Sequence, residues 1–190
     1  QILRDMALAL IHVHEKGYAH LDIKPSNILL AEDRILLSDF GSCQLCGDIG
    51  QNRFVATDGS SFRFDAPECR GGYYEMKSDI WSLGATMFYL YMGCHIFNGM
   101  GGRAQCATTK IPMMRNELPE LSGLIRDCLC HKSGERPDAK EIAAISEKQY
   151  AICKHQAHHR PQKKIIMPDI HESEVMDIDK YWPEKMVANV

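Results

Sequence analysis

With 190 residues, 22 Lys and Arg against 25 Asp and Glu, and a net charge of -3, the chain is long enough for one domain with a real core, and its 45% hydrophobic content is ordinary for a globular protein. The two signs of charge are interspersed, which excludes a strong electrostatic draw to nucleic acid or an anionic membrane, and the most apolar stretch, 80–92, is too short and interrupted to span a bilayer. No charged-then-apolar leader opens the chain and its eight cysteines follow no regular framework, so reduced thiols in a cytoplasmic or nuclear protein are expected.

Taken in order, residues 1–16 read as a helix, with Ile2, Leu3, Met6, Leu10 and Val13 at helical spacing and Gly17 as the stop. His12 and His14 stand two apart and cannot face one site from a helix, so packing or solvent is the expected place for both. Next comes His20-Leu21-Asp22-Ile23-Lys24-Pro25-Ser26-Asn27. Two apolar runs follow, 28–30 and 35–37, split by a polar turn, and these read as an antiparallel hairpin. Ser38-Asp39-Phe40-Gly41 closes it.

The chemistry of this window is that of a phosphate and metal site. Asp22 can accept a proton from an attacking hydroxyl and is the candidate general base. Lys24 can neutralise charge developing on a transferred phosphoryl group. Asn27 and Asp39 offer hard oxygen ligands of the kind magnesium takes, and a hairpin between them can bring both to one ion.

Residues 44–65 are polar, with Gly47, Gly50 and Gly59, and read as a mobile loop that carries Thr57, Ser60 and Ser61. At its start, Cys43 and Cys46 form a C-x-x-C, but Cys128 and Cys130 supply no matching pair, so no zinc site is expected. Cys43, two residues beyond Gly41, is a candidate point of covalent modification. Residues 78–92 read as a buried helix, apolar on nearly every side, capped by Ser78 with Asp79 in its first turn. A helix over 121–130 and a last one from a capping box of Asp138 and Glu141 to about Glu147 follow. Beyond Tyr150 a basic stretch, 154–164, and an acidic one, 169–179, read as a disordered tail.

These motifs, in this order, resemble those of the eukaryotic protein kinases. The octet from His20 to Asn27 resembles their catalytic loop, and Asp39-Phe40-Gly41 their metal-binding triplet. Ala66-Pro67-Glu68 resembles the end of the activation segment, Asp79-Ile80-Trp81-Ser82-Leu83-Gly84 the start of the central helix, and Arg136-Pro137 the late arginine that pairs with Glu68. The resemblance implies a mainly α fold, a kinase C-terminal lobe over 1–148 built as a helical bundle around a buried central helix, with the hairpin carrying the metal site and a tail over 149–190. It implies ATP and magnesium as cofactors and a protein as substrate, with nucleotide contacts from Lys24, Asn27, Leu29 and Asp39. It further implies that His20 links the loop to Phe40, that Asp79 holds the loop backbone from below, and that Ser61 contacts Asp22 and Lys24.

Two departures qualify the resemblance. Leu21 stands where most kinases carry arginine, so the usual receiver for a phosphorylated activation loop is not there. Nothing upstream of Gln1 supplies a Gly-rich loop or a nucleotide-binding strand lysine, so half of the nucleotide cleft is expected to come from a missing N-terminal lobe or a partner protein. Lys24 points to serine/threonine acceptors. A half-kinase acting as a scaffold is one alternative, and a kinase acting on tyrosine is another, since Gly59-Ser60-Ser61-Phe62-Arg63-Phe64, together with the octet from His20 to Asn27, leans toward the Wee and Myt group.

Overall fold

The computed structural model describes residues 1–31, 34–46, 62–97, 101–104, 110–111 and 119–157. Helix α1 (Ile2–Glu15) buries Leu3, Met6, Ala7, Leu10 and Val13 on one face, the stripe its spacing dictates. Gly17 then turns the chain at φ +82, a conformation that a side chain would resist. Helix α2 (Met76–Met92) is buried continuously from Ser78 to Phe88, and Trp81, Ile80, Leu83 and Phe88 form the centre of the core with Met6 and Leu10 of α1.

Helices α3 (Pro119–Cys128) and α4 (Ala139–Ala157) complete the packing. Gly84 lets α3 approach α2 closely, for a Cβ there would lie 2.7 Å from Cys128 Cβ. The α4 helix runs antiparallel to α1: Lys140 meets Glu15 at 2.8 Å at one end, and Arg4 meets Glu147 at 3.5 Å and lies over the Tyr150 ring at 4.2 Å at the other. No helix among the described residues is long and apolar enough to cross a membrane.

Strands β1 (Tyr18–Ala19), β2 (Ile28–Ala31), β3 (Arg34–Leu37) and β4 (Gln44–Leu45) form two small antiparallel sheets among the described residues. One is the expected hairpin, with Ile28 opposite Leu37 and Leu30 opposite Ile35. The other pairs β1 with β4, so Gln44 and Leu45 are strand and not the start of a mobile loop. The Cys46 N–H donates to Gly17 O at 2.8 Å and extends that pairing, a contact between segments far apart in sequence.

Four helix boundaries differ from expectation, the simplest being the end of α3, which stops at Cys128 and not at Cys130. The α2 helix starts two residues early because Glu75 is its N-cap, while the Ser78 hydroxyl, at the third helical position, accepts from Glu75 N–H at 3.1 Å. Pro119 opens α3, the helical position that a missing N–H suits best. The α4 helix continues to Ala157, since residues 148–157 contain no Gly or Pro and Tyr150 packs against Arg4. Thr57, Ser60, Ser61, His158, His159, the acidic stretch 169–179 and most of 93–120 lie outside the described residues.

Candidate active site

The catalytic-loop octet is tied down from both sides. The His20 ring is fully buried, its Nε2 lies 3.1 Å from Ser38 O, and its Nδ1 accepts from Asp22 N–H at 3.3 Å. A carbonyl can only accept, so the proton sits on Nε2 and the imidazole is neutral. Burial holds its pKa below the ordinary value, against the pull of Asp79, Asp22 and Asp39. The ring edge meets Phe40 at 4.9 Å between centroids, so one side chain bridges the octet, the end of β3 and the triplet.

From below, Asp79 of α2 grips the backbone. Its Oδ1 accepts from Leu21 N–H at 2.8 Å and its Oδ2 from His20 N–H at 2.7 Å. Leu21 has φ +66, a left-handed bend in a residue with no special liking for it, and this grip holds the bend in place. Thr86, two turns further along the same face of α2, donates to Ile23 O at 3.3 Å.

Above that floor the polar side chains converge. Pro25–Asn27 is a short 3-10 turn with proline in its first position, and it buries Asn27. The Asn27 Nδ2 group donates to Asp22 Oδ2 at 2.9 Å and to Asp22 O at 2.8 Å, while Lys24 Nζ lies 2.9 Å from the same Oδ2. Asp22, Lys24 and Asn27 are thus one cluster. With its nitrogen bound to Asp22, Asn27 offers Oδ1 as its atom for a cation.

Asp39 follows directly on Ser38, which the hairpin ties to Asn27. Ser38 donates to Asn27 O from both its N–H (3.0 Å) and its hydroxyl (3.1 Å), so the residues flanking the open end of the hairpin are locked side by side. Asp39 is exposed, has φ +60, and accepts from Gly41 N–H at 3.3 Å in a turn of the kind aspartate favours. A Cβ on Gly41 would stand 3.3 Å from that carboxylate. One carboxylate and one amide oxygen fit magnesium, which takes few protein ligands and completes its shell with phosphate and water oxygens. Leu29 is half-buried in β2, across from Leu36.

Glu68 and Arg136 form a separate staple. Two near-parallel bonds, Nη1 to Oε1 at 2.6 Å and Nη2 to Oε2 at 2.8 Å, join them, and Arg136 also donates to the carbonyls of Cys130, Lys77 and His131. Burial alone would raise the Glu68 carboxyl, but the Arg136 bonds and charge outweigh it and hold it below the ordinary range. The Ser78 hydroxyl donates to the same carboxylate at 2.8 Å, a contact that a capping role for Ser78 did not foresee.

Three features were not legible in the sequence. His14, expected in packing or solvent, places Nε2 2.8 Å from Asp79 Oδ2; excluding a shared site with His12 did not exclude a partner 65 residues away. Asp65 and Arg103 form an ion pair at 2.7 Å, not aligned as a hydrogen bond, and burial pushes Asp65 up to about 6 while Arg103 opposes it. Ser38, directly before the triplet, locks the open end of the hairpin through two bonds to Asn27 O, a role its place after the second apolar run did not indicate. Cys43 departs in the other direction: burial pushes its thiol up to about 12, which leaves little thiolate for modification at neutral pH.

The family model described as the protein kinase domain matches residues 1–147. The chain is 33% identical over 150 residues to "Serine/threonine-protein kinase/endoribonuclease IRE1a" of Arabidopsis thaliana, covering 75% of this chain and 18% of that protein. It is 31% identical over 143 residues to the Wee1-like protein kinase of Arabidopsis thaliana (74% and 28%). With serine/threonine-protein kinase Nek8 of Danio rerio it shares 31% over 152 residues (77% and 21%). The chain therefore spans less than a third of the length of these relatives. With its described elements helix-rich and the family's domain matched over most of its length, the chain belongs to the protein kinase family.

Proposed function

We propose that the chain forms the C-terminal lobe of a protein kinase domain and serves transfer of the ATP γ-phosphoryl group to a serine or threonine hydroxyl of a protein substrate. The observation that carries this is the Asp22 carboxylate, buried and fixed by Asn27 Nδ2 and Lys24 Nζ at 2.9 Å each, beside the open end of the hairpin that bears Asp39. Asp22 takes the acceptor proton as the new P–O bond forms and the bond to the leaving ADP oxygen breaks. Lys24 offsets the charge that develops on the moving group. Asn27 Oδ1 and the Asp39 carboxylate would hold the magnesium, and Leu29 would offer an apolar face to the adenine. When bound, the ion supplies charge neutralisation to the nucleotide phosphates.

Lys24 and the serine/threonine kinases among the relatives support a hydroxyl of the aliphatic type. The test is phosphotransfer from Mg-ATP by the longest natural form of the protein, with phosphoamino-acid analysis of the product. Phosphoserine or phosphothreonine is expected, and Asp22→Asn should lower kcat by roughly 10²- to 10⁴-fold. An Asp22→Asn protein as active as its parent would overturn the assignment; phosphotyrosine would move the acceptor class.

A further inference from the structure

We propose that Ile165-Ile166-Met167 of this same chain dock into an apolar cavity between the start of α1 and the last turns of α4. The proposal is independent of the phosphotransfer reading and stands on the cavity, on the reach of the chain and on charge. The cavity holds about 540 Å³. Leu3 of α1, Met87 of α2 and Leu124 of α3 are buried along its floor, and Ile145 and Ile152 of α4 stand on its rim at 41% and 48% exposure. These two isoleucines are seven residues apart, hence on one face of the helix, and with Leu121 they leave an apolar mouth open to water. Pockets of about 300 to 1,000 Å³ bury most of an organic ligand, so two or three side chains fit here. Covering the exposed isoleucines removes apolar surface from water, which drives the contact.

The chain itself supplies the occupant. Residues 151–155 of α4 are exposed and run on past the cavity, and the sequence continues after Ala157 to Val190 outside the described residues. Ile165-Ile166-Met167 is the first apolar run after the helix, and Pro161 opposes a helical continuation that would carry it away from the body. Ile165 is eight residues beyond Ala157, and a linker of that length has a root-mean-square span of roughly 16 Å. The way back along the α4 axis from Ala157 to Gln149, which lines the cavity, is about 12 Å. Effective concentration is greatest where linker span and distance match. Tyr181-Trp182, the bulkiest alternative, lies three times as far along the chain, which lowers its effective concentration roughly fivefold.

Charge favours the same seating. Arg160, Lys163 and Lys164 lead into the run, and two exposed carboxylates stand near the mouth, Glu120 on the lining and Glu147 beside Arg4. A second copy of the chain would meet the mouth only at its solution concentration, whereas a short tether holds the run at a roughly millimolar level.

Two measurements on the full chain test the docking. With p-benzoyl-phenylalanine in place of Ile166, irradiation should join residue 166 to residues 119–124 or 145–153, with a yield that does not change on dilution. In an equal mixture of isotopically light and heavy protein, the adducts should be light to light and heavy to heavy. Ile165→Asp combined with Ile166→Asp should speed amide hydrogen exchange at residues 150–156 of α4 about fivefold, and leucine at both positions should keep the parent rate. Both positions lie after the last helix and outside the packed core, so the fold survives these changes. The proposal is overturned by adducts elsewhere or none, by light-to-heavy adducts, which assign the mouth to a second copy, or by parental exchange rates in the aspartate variant.

Discussion

Two residues flank the proposed chemistry in left-handed backbone without being glycine, Leu21 at φ +66 and Asp39 at φ +60. Each such residue costs on the order of 1 to 3 kcal/mol unless its surroundings over-determine it, and here each is held by carboxylate-to-amide bonds. Leu21 is uncharged, so a phosphate on the activation segment finds no arginine at this position to pair with. Phosphatase-treated and phosphorylated protein should show kcat/KM values within about twofold of one another, and a large difference abolished by changes at Leu21 would contradict this. His20 makes a pH prediction. The folded protein resists protonating the buried ring, whereas the unfolded chain takes up a proton near 6.5, so this contribution is complete above that pH and is lost as pH falls below it. Unfolding titrations of the parent and His20→Phe between pH 7 and 5.5 should show a steeper acid-side loss in the parent. The opposing contribution of Asp65, whose carboxyl sits near 6, is common to both proteins and drops out of the difference.

At the scale of elements, the hairpin was readable because a polar turn between two apolar runs leaves little choice of pairing, and its register follows from Ile28 opposite Leu37. The start of α2 was not, because Ser78 is a good cap in isolation and only the distant Glu68 shows why its hydroxyl is used otherwise. Gly84 tests the contact between α2 and α3. Alanine at a mid-helix glycine ordinarily gains about 1 kcal/mol, but here its Cβ would meet Cys128 Cβ at 2.7 Å and Leu129 Cγ at 3.2 Å. Overpacking of that kind costs about 1 to 3 kcal/mol, so Gly84→Ala should lower stability in urea unfolding, and a gain would show that the helices part freely. The staple between Glu68 and Arg136 is more demanding. Arg136→Met would strand a mostly buried carboxylate and leave three carbonyls without their donor, for a loss of about 3 to 5 kcal/mol by the same measurement. A loss under about 1 kcal/mol would mean that water reaches Glu68.

Over the whole molecule, the order of motifs carried the family and the main helices, since each motif is short, local and tied to a chemistry that few residue types can perform. What stayed hidden depends on contacts between remote segments. The two-residue pairing of β1 with β4 is too short to leave a periodic trace, and the bond from His14 to Asp79 joins two helices whose separate sequences give no sign of it. The Asp65 and Arg103 pair is of the same kind: Gly102 N–H donates to Asp65 O at 3.0 Å, and its missing side chain lets Trp81 and that carbonyl come close, which brings Arg103 within reach. The central claim is that Asn27 and Asp39, brought together by the hairpin, hold one ion beside Asp22. It is tested most directly by anomalous diffraction from crystals of the protein grown with Mn²⁺ and a non-hydrolysable ATP analogue. The expected result is a manganese peak about 2.0 to 2.3 Å from both Asn27 Oδ1 and an Asp39 oxygen; nucleotide bound with manganese ligated by neither residue would contradict it.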